Sequence, residues 1–197
     1  MPGVPREMKG LMNRFILPQL KKQLDGKAIR IKILMTTGVP ESTLYERLDN
    51  LKEIEENAQL AFLPNLFGVK LRLMAKGNSD VEADFKVRRA ENLVREKIGR
   101  DIFADKEVSL EETIGEMLIE RGETLAVAES CTGGLISNRL TNISGSSKFY
   151  ERGVISYSNE AKMELLGVPK NLLIQHGAVS QQVAMAMAEG VRKVAKT

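Results

Sequence analysis

From Ala28 onward the chain alternates. Ile29, Ile31, Ile33 and Met35 are set against Arg30 and Lys32, a period of two that predicts a half-buried strand. Pro40 then opens a helical pattern with Leu44, Leu48 and Leu51 on one face. The segments "AQLAFLP" and "VKLRLMAKG" read as short strands joined by a turn containing Asn65 and Gly68. Residues 79–99 are a long amphipathic helix, capped by Ser79 and stopped by Gly99, and "DIFA" adds an edge strand. The order strand, helix, two strands, helix, strand describes a compact α/β unit over 28–105, closed by 106.

A second pattern starts at 107. Ser109 and Glu112 form a capping box for a helix over 110–121, ended by Gly122, with Leu110, Ile114, Met117 and Leu118 as its buried face. "TLAVA" is a buried strand, Gly133–Thr141 a helix, "RGVISYS" a second strand and "NEAKMELLG" a helix. "PKNLLIQHG" gives a short helix and turn. Ser180 caps a last helix that buries Val183, Met187, Val191 and Val194. Strands alternating with helices predict a three-layer α/β domain over 107–197. A parallel sheet covered on both faces needs more than two strands, so this domain is expected to be incomplete at its C-terminal end. Ahead of both units, "MPGVPREMKGLM" carries two prolines and reads as a loop, and Pro18 opens a short helix, "PQLKKQL". Residues 1–27 are too few for a domain and read as the tail of one.

Composition narrows the class. Of 197 residues, 43% are hydrophobic and 28% charged, as in a folded globular protein. No apolar run approaches the ~20 residues of a membrane span, and the first ten residues lack the apolar core of a secretory leader. A cytoplasmic protein without a membrane partner is the expectation. One cysteine excludes an internal disulfide and a Cys-rich metal site, and one histidine argues against a His-based one. The net charge of +3 is local: residues 1–27 carry six Lys/Arg against two Asp/Glu, so the remaining residues sum to −1. Without a basic stripe, nucleic acid is not the expected partner.

The candidate chemistry sits where apolar runs end, since catalytic groups of open α/β sheets gather at the carboxyl ends of strands. One end carries Ser130, Cys131 and Thr132 before Gly133 and Gly134; the other carries Tyr157, Asn159 and Lys162. The serine suits a turn or helix cap as well as a nucleophile. Lys162 suits a solvated helix face as well as a base, although a lysine can activate a serine. Cys131 reads as a small buried residue at a helix start. Backbone N–H groups of Thr132, Gly133 and Gly134 suit an oxyanion or phosphate. No nucleotide-binding glycine loop is present. His176 reads as a cap or packing residue.

Three stretches, "LAVAESCTGGL", "GSSKFYERGVISYSNEAKMELLGVP" and "HGAVSQQVAMAMAEGV", in order and nearly without gaps over 109–197, resemble the C-terminal domain of the competence/damage-inducible CinA family. "LMTTGVPESTLYERL" and "LAFLPNLFGVKLRLMAKG" resemble its KH-like middle domain. "PGVPREM" resembles the last motif of its N-terminal, molybdopterin-binding-type domain, which is linked to ADP-ribose pyrophosphatase activity. The resemblance implies a nicotinamide-nucleotide amidase, converting nicotinamide mononucleotide to nicotinate mononucleotide and ammonia without metal or cofactor, as a homodimer or other homo-oligomer. It implies Ser130 as nucleophile with Tyr157 and Lys162 as catalytic partners; Cys131, Thr132, Gly133, Gly134 and Asn159 are the expected substrate-binding positions. It also implies both ends cut, with weak turnover by this chain alone. The alternative is a catalytically incomplete binding or scaffold module. RNA binding by the KH-like unit is disfavoured because residues 28–105 lack a G-x-x-G loop.

Overall fold

A computed structural model describes residues 4–23, 27–65 and 67–197. The chain divides into two compact units between Val108 and Ser109. The first opens with α1 (Pro5–Leu11), a π-helical stretch (Met12–Ile16) and α2 (Leu17–Gln23). The loop read over the first twelve residues is therefore helical from Pro5. A proline at a first helical position loses no hydrogen bond and already has a helical φ, so Pro5 opens a helix here. Pro18 lies inside the run and does not start it. Met1–Gly3 and Leu24 lie outside the described residues.

The first sheet contains β1 (Ala28–Thr37), β2 (Gln59–Asn65), β3 (Gly68–Gly77) and β4 (Ile102–Ala104), in the antiparallel order β2-β3-β1-β4. The helices are α3 (Glu41–Leu48), α4 (Lys52–Glu55) and α5 (Asp80–Ile98). Asp49, at φ 52°, breaks the helical pattern that follows Pro40 into α3 and α4. The core joins Leu34, Leu71 and Leu73 from the sheet to Leu44, Leu48, Val87, Val94 and Ile98 from the helices.

The alternation along β1 holds, but its faces are reversed at the start of the strand. Leu34 stands opposite Leu71 in the register, and both are fully buried. Parity then places Arg30 and Lys32 on the helix-covered face, and Ile29 and Ile31 on the other, where they are 41% and 57% exposed. The reversal is possible because α5 supplies anions: Arg30 pairs with Asp80 at 2.8 Å and Lys32 with Glu91 at 3.5 Å. Their methylene stems cover the sheet while the charged heads meet carboxylates.

The second unit contains α6 (Leu110–Arg121), β5 (Leu125–Glu129), α7 (Leu135–Thr141), β6 (Tyr150–Ile155), α8 (Asn159–Leu166), α9 (Lys170–His176) and α10 (Gln181–Ala195). Ser109 and Glu112 close the capping box of α6, and Gly122 ends the helix in the left-handed region. Met117 is exposed; the buried residue of α6 is Gly115, against the Phe149 ring. α7 starts two residues later than expected because Gly133 and Gly134 both have positive φ. α10 ends its buried stripe on Ala195, leaving Val194 exposed.

β5 and β6 pair in parallel, with Val127 opposite Gly153 and Ala128 opposite Val154. Ala126, Ala128 and Val154 pack on the cluster built from α8, α9 and α10. Gly153, on the other face, lies against Ser137 of α7. Helices thus cover both faces, giving three layers around what is, among the described residues, a two-stranded sheet.

Candidate active site

Both strands of the second unit run the same way, so their carboxyl ends lie together. Continuing the alternation past Val127 sends Glu129 toward α7 and Ser130 to the opposite side, toward α8. There, Lys162 is 1% exposed, and its Nζ lies 3.0 Å from Ser130 Oγ. The same Nζ lies 2.8 Å from the Ser156 carbonyl and 2.8 Å from the Tyr157 carbonyl. Ser158 caps α8 by accepting from the Ala161 N–H, which sets the helix turn that aims Lys162 inward.

This donor count matters chemically. Carbonyl oxygens can only accept. A neutral lysine amine has two N–H groups for the two carbonyls and one lone pair left for the serine hydroxyl. Protonated, it turns its third N–H to Ser130 Oγ. Both states keep every partner, so a proton can pass between serine and lysine without rearrangement.

Glu129 organises the other side. It is 2% exposed and accepts hydrogen bonds on both oxygens. Oε2 accepts from the N–H groups of Gly134 at 2.9 Å and Ile136 at 3.1 Å. Oε1 accepts from the Ser137 N–H at 2.8 Å and its hydroxyl at 2.6 Å. Burial alone would push this carboxyl up. Hydrogen bonds from Ser137, the Thr132 hydroxyl and Ile136 outweigh burial and hold it at about 2.

The expected site residues therefore divide. Ser130 and Lys162 are brought together. Tyr157 touches Lys162 only through its carbonyl; its ring is 78% exposed. Thr132 turns its hydroxyl to Glu129, the Gly134 N–H is taken by Glu129, and the Gly133 N–H donates to the Ser130 carbonyl. The N–H groups of Cys131 and Thr132 have no partner among the described hydrogen bonds. Cys131 is exposed, not buried as read, and Asn159 is exposed at the first position of α8. His176 closes α9 and is exposed to solvent. Among the described residues, no cluster of three or more His, Cys, Asp or Glu is placed to hold a metal ion.

Glu129, Ser137 and the Ser156 carbonyl are the parts that the sequence reading missed. One signal was available: an acidic residue closing an apolar strand, on the same alternation face as Leu125 and Val127, must find donors once buried.

Residues 107–197 match the family described as CinA C-terminal domain, and residues 31–104 match Damage-inducible protein CinA KH domain. The chain is 45% identical over 195 residues to a CinA-like protein of Gemmatimonas aurantiaca, an alignment covering 98% of this chain and 46% of that one. It is 43% identical over 191 residues to a CinA-like protein of Chloroherpeton thalassium, covering 96% and 45%. The chain thus spans about half the length of these curated relatives. Among solved structures, the competence damage-inducible protein A from Klebsiella pneumoniae aligns with 36% identity and a TM-score of 0.44, over 45% of this chain and 55% of that one. No described helix is long and apolar enough to cross a membrane.

Proposed function

The chain belongs to the CinA family through both matched domains, and from that premise we propose that its second unit is the nucleophile-bearing part of a nicotinamide-nucleotide amidase. One observation carries the reading: a buried lysine whose amine spans two carbonyls and the Ser130 hydroxyl. A carboxamide is a poor electrophile, and a serine hydroxyl needs an adjacent base to attack it.

In this reading, Lys162 takes the Ser130 proton while Oγ bonds to the carboxamide carbon. The oxygen that becomes negative is met by the N–H groups of Cys131 and Thr132, since those of Gly133 and Gly134 are committed elsewhere. Lys162 returns the proton to the departing nitrogen, and ammonia leaves an acyl ester on Ser130. Water, deprotonated by the same amine, cleaves the ester and releases the acid. The Tyr157 phenol takes no proton in this scheme; its carbonyl anchors the base. Its exposed ring and Asn159 are the groups left to meet substrate.

The test is ammonia release from nicotinamide mononucleotide, run beside labelling by a fluorophosphonate, which reports an activated serine directly. Wild type is expected to label, and to release ammonia only slowly, as the resemblance implies for this chain alone. Ser130→Ala loses both, with turnover down by about 10³-fold or more. Lys162→Met slows both by a comparable factor. Cys131→Ala, which keeps its N–H, retains labelling. A labelled Ser130 without ammonia release would keep the nucleophile and reject the substrate. Ammonia release by Ser130→Ala at the wild-type rate would reject the mechanism.

A further inference from the structure

We propose that Glu129 is a positioning residue for the Ser130 nucleophile, holding the 130–134 turn against the start of α7 so that Ser130 Oγ stays on Lys162. The proposal rests on the serine-nucleophile reading above. Glu129 touches neither reacting group; it acts through the turn that carries one of them.

The geometry is specific. Glu129 and Ser130 are neighbours whose side chains leave the strand on opposite faces. One is tied to α7 by both oxygens, the other faces α8. The turn that follows them has little internal support: the Gly133 N–H donates to the Ser130 carbonyl and the Leu135 N–H to the Thr132 carbonyl. Two positive-φ glycines follow, and glycine is the least restrained of residues. The carboxylate supplies what the turn lacks, by binding Gly134 at its end and Thr132 at its middle.

Clearances beside the clamp agree. A Cβ at Gly153 would stand 2.5 Å from Ser137 Oγ and would also collide with the Tyr150 hydroxyl oxygen. Only glycine there lets Ser137 reach Glu129. A Cβ at Gly134 would stand 2.9 Å from Ile155 Cδ1. The Ile155 tip is exposed and can shift, so the firm fit is that of Ser137 against Gly153.

Glu129→Gln is a stringent probe because it keeps size and removes one acceptor. Each oxygen now accepts at least two hydrogen bonds, so an amide NH₂ in either place would face two or more donors. Two rates are measured on the intact chain: fluorophosphonate labelling of Ser130, and reaction of the exposed Cys131 thiol with an aromatic disulfide. Glu129→Gln, shown to be folded by its circular dichroism, is expected to label about tenfold more slowly, in line with the sensitivity of oriented reactions to small misplacements. Its Cys131 should react faster, because the turn is released. Ser137→Ala keeps the backbone donor and should shift both rates the same way by less. A folded Glu129→Gln that labels at the wild-type rate overturns the proposal. So does slowed labelling that only tracks the folded fraction, with Cys131 reactivity unchanged. An unlabelled wild type would instead reject the serine reading, and this proposal with it.

Discussion

At the scale of single residues, the Glu129 carboxyl makes the strongest claim about pH. Its ordinary value of 4.5 falls to about 2 in the folded chain. A carboxylate with a depressed value adds stability above its unfolded pKa and loses it as pH falls toward the folded one. Here that window runs from about pH 5 down to pH 2. At 1.36 kcal/mol per unit the full contribution is roughly 3 kcal/mol. Denaturant titrations of wild type and Glu129→Gln should therefore diverge at pH 7 and converge toward pH 3; a constant gap would show that the carboxylate charge is not what holds the turn. Periodicity placed Ser130 and Lys162 near strand ends, but the residues alone left a cap and a solvated helix face equally open, and only the family resemblance implied their pairing. Glu129 was not legible, because alternation says which way a side chain points and not what waits there. The donors that justify its burial come from α7, whose start depends on two left-handed glycines.

At the scale of elements, caps and periodicity recovered most helices, because their signals are local: Ser79, Ser109 and Ser180 all accept from backbone N–H groups, as read. What local pattern could not supply was the choice of face. β1 shows this, since Arg30 and Lys32 turn to α5 only because Asp80 and Glu91 wait there. Close approach between helices was equally invisible. Gly190 of α10 lies so near the Leu166 carbonyl that a Cβ would collide with backbone. Alanine gains about 1 kcal/mol over glycine in an open helix interior. At position 190 the sign should reverse, because a carbonyl held in α8 cannot rotate away as a side chain could. Gly190→Ala is expected to lower stability by about 1–3 kcal/mol, the range for overpacked sites. A raised melting temperature would refute the contact.

At the scale of the whole molecule, the two units draw on separate cores. The first clusters thirteen buried apolar residues and the second six, among the described residues, and no residue belongs to both. The second unit also leaves Ile155, Ile174 and Val179 exposed, and its sheet offers two strands against the first unit's four. Since stability follows buried apolar area, the first unit should be the more stable. Thermal unfolding is then expected in two steps, with the second unit melting first. The assignment can be made by cavity mutants, each placed in one core: Leu71→Ala in the first and Val183→Ala in the second, both positions being fully buried. Truncating a buried leucine costs about 2–5 kcal/mol, so Leu71→Ala should move the upper transition and leave the lower in place. Val183→Ala should do the converse, by a smaller amount because fewer carbon atoms are lost. Labelling of Ser130 should disappear with the lower transition, since the nucleophile, its base and its clamp all lie within the second unit. A single cooperative transition shifted equally by both mutants would show that the two cores unfold as one, and that the division at Val108 is geometric only.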